Sequence, residues 1–161
     1  MIQKDDRGNE LLDFIVCEED CADLSYAPIT HCLLVVRMGT DYLMGWNSYR
    51  HDWEIFGGCR EEGESLRACT ARECWEELGL DGIELHFLGL AHYRLAPGYF
   101  NLEWHEEYGG LYGVTLPIEY LQTIEAQRID RDEIKKVALQ STIPKDEPVS
   151  PIDLKLLDYW K

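Results

Sequence analysis

The sequence predicts a mixed α/β domain, and three observations carry that reading. Cys32-Leu33-Leu34-Val35-Val36 is a short aliphatic run rich in β-formers, the pattern of a central strand. Between Ser65 and Gly79 the residues divide into an apolar and an acidic set at helical spacing. Ser150-Pro151 joins an N-cap to a first-turn proline and opens a C-terminal helix reaching Trp160. With 161 residues the chain is long enough for one well-buried core and short for two. The expectation is a single domain over 1–161, with an N-terminal strand and arm in 1–28 and the C-terminal helix in 150–161.

The elements follow in order. Arg7-Gly8-Asn9 is a turn, and Leu11 to Cys17 reads as a first strand. Ala22 to Pro28 reads as loop. After the central strand, Gly39-Thr40-Asp41 turns the chain and Tyr42 to Trp46 returns as a hairpin partner. Asn47 to Asp52 is a polar connection, and Trp53 to Phe56 runs into a Gly57-Gly58 turn. Ser65 is the expected N-cap of the next helix, and Gly79 fits the left-handed position that ends it, with Leu80 as its hydrophobic contact. Strands are expected over Ile83 to Tyr93, Tyr108 to Leu116 and Ile134 to Leu139, with a turn at Ala96-Pro97-Gly98. Pro117 to Ile129 should hold a short helix or loop.

Composition excludes more than it identifies. Hydrophobic content of 45% and aromatic content of 11% are globular values. No apolar run approaches the length of a membrane span, so a soluble cytoplasmic protein is expected. A net charge of −16 argues against a long nucleic-acid partner, which needs a basic track. It does not exclude a small phosphorylated substrate. Six cysteines are present, but Cys17 and Cys21 have no second pair at zinc-finger spacing, so reduced thiols are expected rather than zinc or disulfides.

The informative segment begins at Gly58. Glu64 stands at a loop-to-helix junction, and Glu73, Glu76 and Glu77 fall within an arc of about 100° on the helix, at roughly 100° per residue. Cys74, Leu78, Ala71, Trp75 and Ala68 occupy most of the other side, which is expected to face the core. Three glutamates on one face of an acidic chain are, taken alone, ordinary solvated surface. Crowded like charges near a fold's interior are costly unless neutralised, so the alternative is a seat for hard divalent cations. Arg72 lies beside the acidic face and can hold a carboxylate with a forked hydrogen bond.

The whole spacing decides between the two. Gly58, five residues, Glu64, seven residues, Arg72-Glu73, two residues, Glu76-Glu77, one residue, Gly79, apolar: this 23-residue run resembles the signature of the Nudix hydrolases. Cys74 and Leu80 fill its two apolar positions; aliphatic residues are usual at the first, but a buried cysteine acts as a small hydrophobe. Phe56 stands where many relatives carry proline before the glycine pair. The resemblance implies an α/β/α sandwich, a mixed sheet flanked by helices, and hydrolysis of a phosphoanhydride in a nucleoside diphosphate derivative. It implies Mg2+, with Mn2+ as an option, held by Glu73, Glu76 and Glu77 and by the carbonyl of Gly57. Glu64 would support the metal or act as base, Arg72 would orient a glutamate, and the base itself would be Glu73 or Glu64. Some relatives add a glutamate before a late strand, and Glu133 occupies that place; its other reading is a solvated loop acid. Glu106 and Glu107 are weaker candidates of the same kind.

Substrate identity is less legible. Arg50, Arg94 and Trp53 are the candidate substrate-binding residues, with His51 as a further cation and Trp46, Tyr49, Tyr93, Tyr99 and Trp104 as further stacking surfaces. Pro97 lies seventeen residues beyond Leu80, close to a proline diagnostic of ADP-ribose-cleaving relatives, and also forms an ordinary Pro-Gly turn. The preferred reading is a nucleoside triphosphate pyrophosphohydrolase, with oxidised nucleotides among its candidate substrates. An ADP-ribose or nucleotide-sugar pyrophosphatase is the alternative. A module that senses a nucleotide without cleaving it ranks last, because every metal-binding glutamate is present. A homodimer is one option, with the segment before Pro28 as a candidate exchange arm.

Overall fold

The computed structural model describes residues 1–22, 26, 28–98 and 101–161. Among these residues nine strands form one mixed sheet: β1 (Gln3–Lys4), β2 (Glu10–Ile15), β3 (Ile29–Met38), β4 (Asp41–Asn47), β5 (Asp52–Glu54), β6 (Phe56–Cys59), β7 (His86–Leu95), β8 (His105–Leu116) and β9 (Ile134–Leu139). Among the described residues three α-helices accompany them: α1 (Leu66–Leu78), α2 (Tyr120–Gln127) and α3 (Pro151–Leu156), the last continued by a 3-10 turn over Leu157–Tyr159. The main path runs β1-β2-β7-β8-β3-β4-β5, with β6 paired to β3 and β9 to β4. Among the named strands of the described residues, β3 and β8 pair in parallel and the other pairings are antiparallel.

Alternation along β3 sorts the core into two layers. Leu34, Val36 and Met38 face one side and pack with Leu66, Cys74 and Leu78 of α1 and Ile124 of α2. Val35 faces the other, with Met44, Trp53, Ala91 and Leu111, and with Ile152 and Leu156 of α3. Helices on both faces of a mixed sheet make the α/β/α sandwich expected from the sequence. No helix among the described residues is long and apolar enough to cross a membrane.

Both helix ends hold as read. Ser65 accepts a hydrogen bond from the Ala68 N–H at 3.1 Å, and Gly79 sits at φ 70° in the left-handed region. Other boundaries differ. The Gly57-Gly58 pair is not a turn but lies inside β6, where Gly57 pairs with Leu33 and Gly58 with Cys32. β7 begins at His86 rather than Ile83, and β8 begins three residues earlier than expected, at His105. The loop expected from Ala22 to Pro28 falls largely on 23–25 and 27, and the Tyr99 stacking candidate on 99–100, all outside the described residues.

Candidate active site

The fold presses α1 against β6, and that contact builds the site. The buried side of α1 is made of Leu66, Cys69, Thr70, Cys74, Glu77 and Leu78, whereas Ala68, Ala71 and Trp75 are exposed. The core face read from the sequence is therefore rotated: Glu77 is 2% exposed, and Trp75 is 49% exposed. A helical wheel sends carboxylates outward because burying a charge is costly. Here a tertiary partner offsets the cost, since Glu77 Oε1 accepts a hydrogen bond from the Gly57 N–H at 2.8 Å. Burial nonetheless pushes the Glu77 carboxyl well above the usual range, against the Gly57 bond that lowers it.

Glu73 lies one turn earlier on the same side and rests on Gly58. A Cβ at that glycine would collide with the Glu73 carboxylate. Partial burial pushes the Glu73 carboxyl up, Arg72 pulls it down, and Glu76 raises it again.

Arg72 is the hub of the cluster. It grips Glu64 through two bonds, Nε to Oε2 at 2.8 Å and Nη2 to Oε1 at 3.0 Å. Nη1 donates to Glu73 at 2.9 Å and reaches Glu76 at 3.4 Å, while Nη2 also donates to the Cys59 carbonyl at 3.0 Å. The forked hydrogen bond foreseen for Arg72 thus exists, with Glu64 as its partner. It holds the Glu64 carboxyl down at about 2. Arg60 ties the same loop, with Nε donating to the Glu64 carbonyl at 3.0 Å.

Glu133 is brought to the same cleft from the loop before β9. The Ile129 and Asp130 N–H groups donate to the Glu76 carbonyl, and Asp130 Oδ1 accepts from the Asp132 and Glu133 N–H groups. Arg128 braces that loop from beneath, donating to the carbonyls of Asp130, Ile134 and Lys135. Burial raises the Glu133 carboxyl, while Arg50 at 3.9 Å and Asn47 Nδ2 at 3.3 Å counteract.

A cleft of about 880 Å³ runs past Glu73, Glu77 and Glu133 to Arg50, Glu54, His31 and Tyr93. Arg50, expected to meet substrate, lines it and is held by Glu54 through bonds of 2.6 and 2.8 Å. The other two substrate-binding candidates do not line it. Trp53 is 2% exposed, packs edge-on to Trp46 and donates its indole N–H to Glu147. Arg94 alternates away from Tyr93 on β7, lies 4.2 Å over the Trp104 ring and pairs with Glu10 at 3.7 Å. His51 and Tyr49 are exposed outside the cleft; Glu107 lines it, while Glu106 bonds His92 at 2.7 Å. Sequence reasoning missed Asn47, Glu54, His31 and Asp153 of the lining. Asp153 gives no signal of its place: an acid in the first turn of a helix reads as a dipole partner.

Glu73, Glu76, Glu77 and Glu133, with the Gly57 carbonyl, offer carboxylate and carbonyl oxygens, the chemistry that hard dications such as Mg2+ take. Among the described residues no three such side chains already form a metal cage. Arg72 supplies the local counter-charge to Glu64, Glu73 and Glu76 instead.

Fold and site together define a class. Residues 26–157 match the NUDIX domain, and the chain belongs to the Nudix hydrolase family, which acts on pyrophosphate bonds and generally uses divalent metal ions. Among particular relatives, it is 27% identical over 137 residues to the NAD-capped RNA hydrolase NudC of Vibrio atlanticus (strain LGP32), a match covering 83% of this chain and 49% of that protein. The chain thus spans about half the length of that relative. Its fold is similar to the pyrophosphohydrolase BsRppH of Bacillus subtilis, with a TM-score of 0.61, 20% identity and coverage of 97% of this chain and 94% of that one. It is also similar to the NUDIX domain of Shewanella oneidensis NrtR crystallised with ADP ribose, at a TM-score of 0.60, 15% identity and coverage of 85% and 88%.

Proposed function

We propose that this chain is a Mg2+-dependent pyrophosphohydrolase that cleaves a phosphoanhydride of a nucleoside triphosphate. The observation that carries the reading is the seating of Glu73 and Glu77 against Gly57 and Gly58, with Arg72 bridging Glu73 to Glu64. Glu73, Glu76 and Glu77, with the Gly57 carbonyl and Glu133, would hold the metal, which when bound offsets phosphoryl charge and makes water more acidic. Glu73 is the assigned base: its carboxyl, pushed up by burial, takes the proton of the attacking water at a side-chain oxygen. Glu64, locked as an anion, fixes the Arg72 guanidinium and through it the Glu73 carboxylate. Arg50 stands in the cleft as a cation for the polyphosphate, at the cost of loosening its hold on Glu54. Charge of −16 makes small nucleotides better suited as partners than long nucleic acid.

A second reading has its own support. Similarity to an NAD-capped RNA hydrolase and to an ADP-ribose-bound domain, with a cleft reaching from Glu61 to Asn101, fits a diphosphate that carries two bulky groups. One panel separates the two: pyrophosphate released from triphosphates, against ribose 5-phosphate released from ADP-ribose. Glu73→Gln removes the base, and kcat on the substrate found should fall by about a thousandfold with the fold intact. Near-normal turnover in that variant, or none by the native chain on any panel member with Mg2+, overturns the hydrolase reading. Saturating Mg2+ should raise Tm, because filling the site relieves repulsion present in the folded state; an unchanged melt counts against the metal assignment.

A further inference from the structure

Two thiols that the proposed chemistry does not use sit behind the carboxylates. Cys32 on β3 and Cys69 on α1 are both fully buried, and their sulfurs are 3.1 Å apart. A disulfide is about 2.05 Å long, so roughly 1 Å of closure separates this pair from one. Cys69 lies one helical turn before Glu73 on the same side of α1. Its sulfur is 3.8 Å from the Gly58 carbonyl, 3.7 Å from the Cys59 carbonyl and 3.9 Å from Arg72 Nη2. Movement of Cys69 is thereby transmitted to the glycine that seats Glu73 and to the guanidinium that orients it.

We propose that Cys32 and Cys69 form a reversible disulfide that cinches α1 onto β3 and disarms the carboxylate site. The loss of activity rests on the hydrolase reading; formation of the bond does not. The oxidant class is a peroxide, small enough to reach a buried pair, whereas a bulky disulfide meets the exposed Cys59 first. In hydrogen peroxide the Cys32 sulfur attacks one oxygen, the O–O bond breaks, and one water leaves as the sulfenic acid forms. The Cys69 sulfur then attacks the Cys32 sulfur, the S–O bond breaks, and a second water leaves. Two thiols lose two electrons and two hydrogens, and one peroxide becomes two waters. Cys32 attacks first because it receives the Cys69 S–H, which favours negative charge there; Cys69 is correspondingly harder to ionise.

The test is peroxide titration of the whole protein, with intact mass, peptide mapping, Tm and turnover read on one sample. The expected result is loss of two hydrogens and a Cys32–Cys69 linked peptide. Turnover should fall by about tenfold or more, Tm should rise by roughly 5 °C from the crosslink, and both should return with dithiothreitol. Cys59→Ala should still form the link. Cys32→Ala should form none, and its turnover, relative to its own reduced form, should not respond to peroxide. Free thiols at 32 and 69 after Cys59 has oxidised overturn the proposal, as does a linked protein that turns over at the reduced rate. A link in a protein with no turnover even when reduced sinks the hydrolase reading and leaves the disulfide standing.

Discussion

A single hydrogen atom at Gly58 leaves room for the carboxylate that the site depends on. Replacing it by methyl puts carbon where Glu73 now rests, and Glu73 is the member of that contact able to move. Gly58→Ala should therefore lower turnover by about tenfold or more while costing less stability than a core truncation, which takes about 2–5 kcal/mol. Kinetics beside a thermal melt checks this, and a melt that collapses with turnover retained would refute it. Gly57 is constrained differently. Its φ of 140° is unusual for a residue with a side chain, and a Cβ there would strike the Cys32 carbonyl. A side chain is thus excluded at Gly58 by a carboxylate and at Gly57 by the backbone of β3.

Helix α1 owes its ends to local chemistry and its orientation to distant chemistry. Ser65→Ala removes the oxygen that satisfies the Ala68 N–H, so stability should fall by about 1 kcal/mol, with turnover close to native. Denaturant titration measures it; a loss of turnover far exceeding the stability loss would show that the cap also positions Glu64. Such ends were legible because Ser65 and Gly79 act within a few residues of themselves. The orientation was not, because the partner that draws Glu77 inward is an N–H on β6, twenty residues away. For the same reason Gly57-Gly58 read as a turn: nothing local reveals that β3 supplies pairing partners for it. The Nudix signature made the carboxylate set legible, whereas the rest of the cleft was not. Arg94 and Trp53 have the right chemistry for a nucleotide, but strand alternation and a buried indole keep them from it. Asp153 reaches the lining because the start of α3 docks beside β5, where its Oδ2 accepts the Ile55 N–H at 2.9 Å.

Across the molecule, buried acids set how stability responds to pH. Burial, reinforced by Glu54, pushes Asp52 up to about 7, against Arg7; burial pushes Asp153 up to about 8, with Glu54 and Asp52 adding to it and Arg50 opposing. Among the described residues Oδ1 of Asp52 is buried with no hydrogen-bond partner, which suits a carboxyl that does not carry a buried charge. Both groups hold protons more tightly folded than unfolded, so their contribution is full below the unfolded value and fades as pH rises through 7 and 8. Glu73, Glu77 and Glu133 act in the same sense. Glu64 acts oppositely, and its contribution is lost as pH falls through about 2. Tm should therefore fall between about pH 4, near the unfolded carboxyl value, and about pH 8, and Asp153→Asn should flatten that slope; a flat native profile would contradict it. The parallel pairing of β3 with β8 has a kinetic corollary. Val36 meets Val114 across 78 intervening steps of chain, while the β3–β4 and β7–β8 pairings are closed by much shorter spans. Hairpins can therefore zip early, but the seam that unites them waits on a wide search. Refolding should be slow for a chain this size, with the amides that join β8 to β3 gaining exchange protection only once that seam has closed.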